Sequence, residues 1–302
     1  MNPNALRKSL ENGVIAFPVT PFKDDLGLDL DGLRKNLRHL IKFDFRAIVA
    51  AGGTGEMYSL TTDEYRQVVE TTAEVVNGET AVIAGVGFGY AQALEMSRIA
   101  KSNGADGVLA LPPYYPNAPK SALFDYYQAI GENTDLGMLV YTRDWVQLTP
   151  NDAETLANRI PNLVAWKDGQ GDTRAYQRIM QHLGDRFHWI GGIGDDCVPA
   201  YYSIGIRTYT SSIATVAPRI SLLLHEYAST GKHEDLANLM AKYVIPIYDF
   251  RARQKGYEVS AMKALMNLTG QVGGRVRPPL PEVDEEKMRG LREMVAGWSS
   301  VL

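Results

Sequence analysis

Short, mostly apolar runs recur along the first two thirds of the chain: Val14-Ile15-Ala16-Phe17, Ala47-Ile48-Val49-Ala50, Ala81-Val82-Ile83-Ala84, Val108-Leu109-Ala110-Leu111, Met138-Leu139-Val140-Tyr141, Leu163-Val164-Ala165-Trp166, Phe187 to Ile190 and Arg207 to Thr210. Runs of this length without polar alternation predict strands covered on both faces. Between them lie amphipathic segments with helix-start signals. Thr62-Asp63-Glu64 precedes Val68-Val69, and Thr149-Pro150-Asn151-Asp152 precedes Leu156, each segment ending near a glycine, proline or asparagine. Roughly eight such βα units over about 225 residues predict an α/β fold, a (β/α)8 TIM barrel. A doubly wound sheet would more often show fewer strands and a dinucleotide fingerprint. Further helical periodicity near 232–251, 256–270 and 284–298 predicts an appended C-terminal helical region. The expected division is a barrel over 1–230 and C-terminal helices packed on it over 231–302, with no repeat beyond the βα period.

The 302 residues, 45% hydrophobic and 22% charged, suffice for a sizeable core. Net charge is −4 and the basic residues are scattered, so neither nucleic acid nor an anionic membrane is an expected partner. A small anionic substrate would need local arginines or helix N-termini. Cys197 is the only cysteine, which excludes an intramolecular disulfide and fits a reducing, cytoplasmic setting. Met1 to Leu10 has no signal-peptide core, and no stretch approaches the roughly 18 apolar residues of a membrane span. The five histidines form no HxxxH or HxH group, so no metal is expected. Gly52-Gly53-Thr54-Gly55-Glu56 is not followed by the Lys-Ser/Thr pair of a P-loop, and Gly85-Val86-Gly87-Phe88-Gly89 lacks dinucleotide spacing. No cofactor is expected.

In a barrel of this kind the C-terminal strand ends hold the site. The sixth run ends in Lys167, a lone amine that can form a Schiff base with a carbonyl substrate. A solvated lysine is the ordinary alternative. At an unperturbed pKa of about 10.4 only roughly a few lysines in ten thousand are neutral at pH 7, so a nucleophilic one must be desolvated. Strand alternation turns Trp166 and Asp168 to the face opposite Lys167. By the same parity 137, 139 and 141 share a face of the fifth strand, as 163, 165 and 167 do of the sixth. If Ala165 points inward, Tyr141 and Lys167 face one lumen, where a phenol can move protons to and from the carbinolamine and imine. The alternative for Tyr141 is a core tyrosine with a satisfied hydroxyl. Gly53 and Thr54, after the second strand, can offer N–H groups and a hydroxyl to a carboxylate, although such loops are more often plain turns. Arg143, at the barrel mouth, is either an exposed arginine or a bidentate carboxylate clamp. Pro112-Pro113-Tyr114-Tyr115 follows the fourth strand.

Phe17-Pro18-Val19-Thr20-Pro21-Phe22, Gly52 to Glu56, the Tyr141 strand and Lys167, in this order and spacing, resemble the dihydrodipicolinate synthase and N-acetylneuraminate lyase family over nearly the whole chain. Within it, four stretches are most similar to the 5-dehydro-4-deoxyglucarate dehydratase branch. These are Ala50 to Glu56; Tyr141 with Arg143-Asp144; Lys167-Asp168-Gly169 with Gly171-Asp172; and Lys255-Gly256-Tyr257 through Val259-Ser260-Ala261 and Lys263 to Val276-Arg277-Pro278-Pro279-Leu280. The resemblance implies that Lys167 is the Schiff-base lysine, Tyr141 the proton shuttle, and Gly53 with Thr54 the holder of the carboxylate beside the keto group. It implies a keto sugar acid as substrate and a homotetramer built from tight dimers.

Departures from that branch lie in the loops. Gly191-Gly192-Ile193-Gly194-Asp195-Asp196 replaces a Pro-Thr-Ala-Glu type segment and looks more like the synthase branch. Tyr115 resembles the tyrosine that synthases and lyases lend from a neighbouring subunit to the proton relay; here it is placed with Lys167, Tyr141 and Thr54 as a catalytic candidate, in its own site or a neighbour's. Gly53 lacks the hydroxyl that those branches use. Ser211-Ser212-Ile213-Ala214-Thr215 replaces a run with Asn and Phe. Asp195, Ser211 and Ser212 are therefore the expected contacts for the far end of the substrate. The reaction that the resemblance implies converts 5-dehydro-4-deoxyglucarate to 2,5-dioxopentanoate, carbon dioxide and water. Two alternatives stand beside it: a retro-aldolase, lyase or synthase acting on another 2-keto acid, and a non-catalytic sugar-acid binding protein.

Overall fold

The computed structural model describes residues 1–115 and 117–302. A short helix, α1 (Pro3–Ser9), precedes eight parallel strands that close into a barrel in chain order, with the last hydrogen-bonded back to the first. The strands are β1 (Gly13–Ala16), β2 (Ala47–Ala50), β3 (Ala81–Val86), β4 (Gly107–Ala110), β5 (Gly137–Thr142), β6 (Leu163–Asp168), β7 (His188–Gly191) and β8 (Thr208–Ser211). Each predicted run finds its strand within two residues at either end. Helices α2 (Leu30–Leu40), α3 (Thr62–Val76), α4 (Tyr90–Ser102), α5 (Lys120–Glu132), α6 (Pro150–Arg159), α7 (Thr173–Leu183), α8 (Val198–Ser203) and α9 (Pro218–Thr230) follow the strands in turn. This is the (β/α)8 TIM barrel that the alternation predicts. Helix α6 begins as its sequence reads: Thr149 accepts from the Asp152 N–H, Asp152 accepts in return, and Pro150 sits where no N–H is needed.

Strand alternation divides the core in two. Along β2, Ala47 and Val49 point into the barrel, while Ile48 and Ala50 pack against the surrounding helices. Helix α1, which the hydrophobic pattern does not announce, floors the barrel. Asn2 caps it by accepting from the Ala5 N–H, and Leu6 and Leu10 fill the lumen beside Ala47, Ala81 and Val164. A Cβ on Gly137 would lie 2.7 Å from Leu6 Cδ2, so the floor requires glycine there. On β6 the expected common face of 163, 165 and 167 holds only in part. Met138 pairs with Leu163 but Leu139 pairs with Ala165, a bulge at Val164. Leu163 therefore joins the outer core while Ala165 stays inside, and beyond the bulge Tyr141 stands opposite Lys167.

The C-terminal periodicity forms α10 (His233–Leu239), a π-helical turn (Met240–Val244), α11 (Ile245–Ala252), α12 (Tyr257–Leu268) and α13 (Glu285–Val295). The predicted single helix over 232–251 is thus interrupted by the π turn, which rotates the face that α11 presents. Val244, Ile247, Met262, Leu265 and Leu291 join the same buried cluster as the outward side chains of the strands. Among the described residues no helix is long and apolar enough to cross a membrane.

Candidate active site

At the C-terminal end of the barrel opens a cavity of about 720 Å³ whose wall includes Phe17, Gly53, Thr54, Tyr141, Arg143 and Lys167. That size suits a small organic ligand. Lys167 is 4% exposed. Its Nζ donates to the Gly192 carbonyl at 2.9 Å, lies 3.3 Å from the centre of the Tyr141 ring and 5.4 Å from that of Phe17. No carboxylate lies within ion-pair distance of it among the described residues. Burial pulls its pKa down, and the Tyr141 phenol opposes that shift. Asp168, the adjacent acid, faces the other way and accepts from the Tyr201 hydroxyl at 2.7 Å and from the Gln170 and Gly171 N–H groups. Trp166 likewise points outward, so Phe17 and Tyr141 form the wall around the amine.

Two glycines make this crowding possible. A Cβ on Gly192 would lie 2.5 Å from both Lys167 Cγ and the Asp168 carbonyl, and one on Gly169 would collide with the Tyr141 ring. The Tyr141 hydroxyl accepts from Arg143 Nη1 at 3.2 Å. Burial raises the pKa of Tyr141, but the positive charges of Lys167 and Arg143 outweigh it and hold the phenol below its ordinary value. The pair can therefore exchange protons at a far smaller cost than the isolated groups would.

The loop after β2 turns through left-handed residues at Ala51 (φ 48°) and Glu56 (φ 51°), and Thr20 Oγ1 braces it by donating to the Gly55 carbonyl at 2.7 Å. Among the described residues, neither the Gly53 nor the Thr54 N–H donates a hydrogen bond within the chain. Both residues face the cavity, and a Cβ on Gly53 would meet nothing within 4 Å. Glu56, fully buried, pairs with Lys263 of α12 at 2.5 Å and accepts from the Arg277 N–H at 3.1 Å, which fixes the far end of the loop.

The remaining candidates are placed unequally. Arg143 lines the cavity but leans on Tyr141 and on Asp144 Oδ1, 3.5 Å away. Tyr115 is 90% exposed, has a left-handed backbone (φ 78°) and stands off the cavity wall of its own chain, its ring 6.4 Å from that of Tyr114. Asp195 and Ser211 are fully buried at the wall and turned on each other. Ser211 Oγ donates to Asp195 Oδ1, Tyr248 donates to Oδ2 at 3.0 Å, and Asp195 N donates back to the Tyr248 hydroxyl at 2.6 Å. Burial pushes the Asp195 carboxyl up to about 6. Ser212 is less buried and accepts from Arg251 at 3.1 Å. Tyr248 and Arg251, three residues apart on one face of α11, have no counterpart in the sequence reading, because a search of strand ends does not reach a helix beyond the barrel. Cys197 is a thiol whose pKa is pushed up to about 11 by burial. Among the described residues no group of three or more His, Cys, Asp or Glu side chains is arranged to hold a metal.

Residues 10–297 match the Dihydrodipicolinate synthetase family. The chain belongs to that family. Its relatives include a "Probable 5-dehydro-4-deoxyglucarate dehydratase" of Bradyrhizobium diazoefficiens, 36% identical over 297 residues, covering 98% of this chain and 95% of the relative. A protein of the same description from Methylobacterium radiotolerans is 37% identical and covers 98% of each chain. Among solved structures, dihydrodipicolinate synthase from Oceanobacillus iheyensis superposes with a TM-score of 0.90 at 27% identity, over 98% of this chain and 99% of that one. The synthase from Bacillus clausii gives 0.91 at 26%, over 97% and 99%. Within the dihydrodipicolinate synthetase family, this chain thus combines the synthase fold with higher sequence identity to relatives described as dehydratases.

Proposed function

We propose that this family member is a decarboxylating dehydratase that converts 5-dehydro-4-deoxyglucarate to 2,5-dioxopentanoate, carbon dioxide and water through a Schiff base on Lys167. The observation that carries the reading is the buried Lys167 amine, without a carboxylate partner and lying on the Tyr141 ring. Burial favours the neutral, nucleophilic amine. The keto carbon is attacked, Tyr141 passes the proton that turns the carbinolamine hydroxyl into water, and an iminium remains. Arg143 supports the phenolate form of Tyr141 during each transfer. The substrate carboxylate beside the keto carbon is held by the Gly53 and Thr54 N–H groups and the Thr54 hydroxyl.

The iminium acidifies the neighbouring methylene, and its deprotonation gives an enamine. The enamine expels the hydroxyl two carbons from the imine carbon as water. The new double bond is conjugated with the iminium, so the electron pair left when the distal carboxylate departs as carbon dioxide flows to nitrogen. Tautomerisation and hydrolysis return Lys167 and release the semialdehyde. The relatives support the substrate, and the cavity size accommodates a six-carbon dicarboxylate. The exposed Tyr115 is consistent with a homotetramer in which that ring completes a neighbour's relay.

Borohydride trapping with 5-dehydro-4-deoxyglucarate and, separately, pyruvate tests the reading by mass spectrometry, with carbon dioxide assayed in parallel. A reduced adduct on Lys167 together with carbon dioxide release from the glucarate derivative is expected. A retro-aldolase, lyase or synthase acting on another 2-keto acid is the second reading, and the synthase-like Gly194-Asp195-Asp196 loop is the feature that favours a family activity other than dehydration; pyruvate among the products without carbon dioxide would establish cleavage instead. Absence of an adduct with either compound would eliminate the Schiff base.

A further inference from the structure

Two arginines line the cavity, and their surroundings differ. Arg143 already has an acid beside it, Asp144, and the Tyr141 hydroxyl in front. Arg251 lies with its Cζ 4.5 Å from the centre of the Tyr248 ring and donates one hydrogen bond, from Nη1 to Ser212 Oγ. Its Nε is buried and has no acceptor, and among the described residues no carboxylate lies within ion-pair distance of the guanidinium. The acids of this wall are engaged elsewhere or too far away. Asp195 accepts from Ser211 and Tyr248, Glu258 accepts from the Gly256 N–H at 2.8 Å, and Asp196 feels the charge of Arg251 without pairing to it. A guanidinium held over a ring, with a buried N–H left over and no carboxylate at ion-pair distance, is suited to receive a planar anion. Buried donors are rarely left without a partner, and this one belongs to a side chain that lines the cavity.

We infer that Arg251, assisted by Ser212, anchors a carboxylate at the end of the substrate remote from Lys167, and so selects keto acids that carry a second anionic group. This rests on the Schiff-base reading above and deepens it. Gly53 and Thr54 hold one end of the substrate and Arg251 the other, with the reacting carbons suspended over Lys167. Asp195 then acts indirectly: its bonds to Ser211 and Tyr248 fix the ring on which Arg251 lies. The π turn before α11 contributes by setting the face from which Tyr248 and Arg251 enter the cavity.

The test compares two ligands: 5-dehydro-4-deoxyglucarate, and a 2-keto-3-deoxy acid of the same carbon length ending in a neutral alcohol. The readout is the concentration of each that half-saturates borohydride trapping on Lys167. The unsubstituted protein is expected to prefer the dicarboxylate. Arg251→Gln should weaken the dicarboxylate roughly 10- to 100-fold, as loss of a hydrogen-bonded charge implies, and leave the alcohol within about threefold. Arg251→Lys should fall between, since it retains charge but not the fork. Ser212→Ala, a mild change on the loop after β8, should reduce the preference several-fold and serves if Arg251→Gln does not fold. Equal weakening of both ligands, or no change in preference in Arg251→Lys and Ser212→Ala, overturns the inference while leaving the Schiff base intact. No adduct of either ligand in the unsubstituted protein overturns the Schiff-base reading, and the inference with it.

Discussion

Two lysines are buried in this protein almost equally, Lys167 at 4% exposure and Lys263 at 2%, and their surroundings differ in charge. Each has an aromatic ring beneath its amine, Tyr141 for one and Phe22 for the other, and each donates to a backbone carbonyl. Burial pulls both pKa values down. The difference is one carboxylate. Glu56 stands 2.5 Å from Lys263 and opposes the loss of its proton, whereas the acid nearest Lys167 in sequence, Asp168, is committed to Tyr201 and two backbone N–H groups. Burial alone therefore does not make a nucleophile; burial with the counter-ion directed elsewhere does. The Glu56–Lys263 pair also bears on the cavity, because Glu56 ends the loop that carries Gly53 and Thr54.

The comparison breaks most sharply at the nucleophile. Lys167→Ala should abolish both trapping and turnover, and peptide mapping should find no borohydride adduct on Lys263 in that variant. An adduct there would mean that the paired lysine is as reactive as the unpaired one. Tyr141→Phe keeps the ring beneath the amine and removes the proton carrier, so kcat should fall roughly 10²- to 10⁴-fold while a slowly formed Lys167 adduct remains detectable.

Lys263→Met leaves Glu56 buried with the Arg277 N–H but without its counter-ion, which should cost about 3–5 kcal/mol in urea denaturation. Adding Glu56→Gln should restore part of that loss. If the single and double variants unfold at the same urea concentration, the pair is not what holds the loop.

The smallest effect concerns pH. The native Lys167 pKa lies below its unfolded value of 10.5, so between those two values the unfolded chain binds a proton that the folded chain does not, and stability rises with pH across that window. Lys167→Met should therefore melt higher than the parent near pH 7, with the advantage shrinking as pH approaches 10.5. A pH-independent difference would point to packing instead of desolvation.

How much of this was legible in the sequence follows the range of the interactions involved. Strands and their order are local consequences of apolar runs, and the Tyr141–Lys167 juxtaposition needed only strand parity, which survives on the mouth side of the bulge at Val164. Leu163, on the other side of that bulge, escaped the same rule because one extra residue reverses every side chain beyond it. The α1 floor was hidden because Leu6 and Leu10 alone make no periodic pattern. The Glu56–Lys263 pair and the place of Tyr248 and Arg251 in the cavity wall were hidden because they join a strand-end loop, or the cavity, to helices beyond the barrel. Asp195 and Ser211 were legible as residues at the cavity end of the barrel, but not as partners of each other, since the bond between them depends on how two segments fold back at the rim.

The inward side chains of the strands, Ile15, Val49, Ile83, Leu109, Leu139 and Ile190 among them, fill the barrel above Leu6 and Leu10, so the cavity has a solid base. Arrival and departure share a single doorway. A product still held at the mouth would then exclude the next substrate molecule, and product inhibition competitive with substrate is the expected outcome in steady-state kinetics.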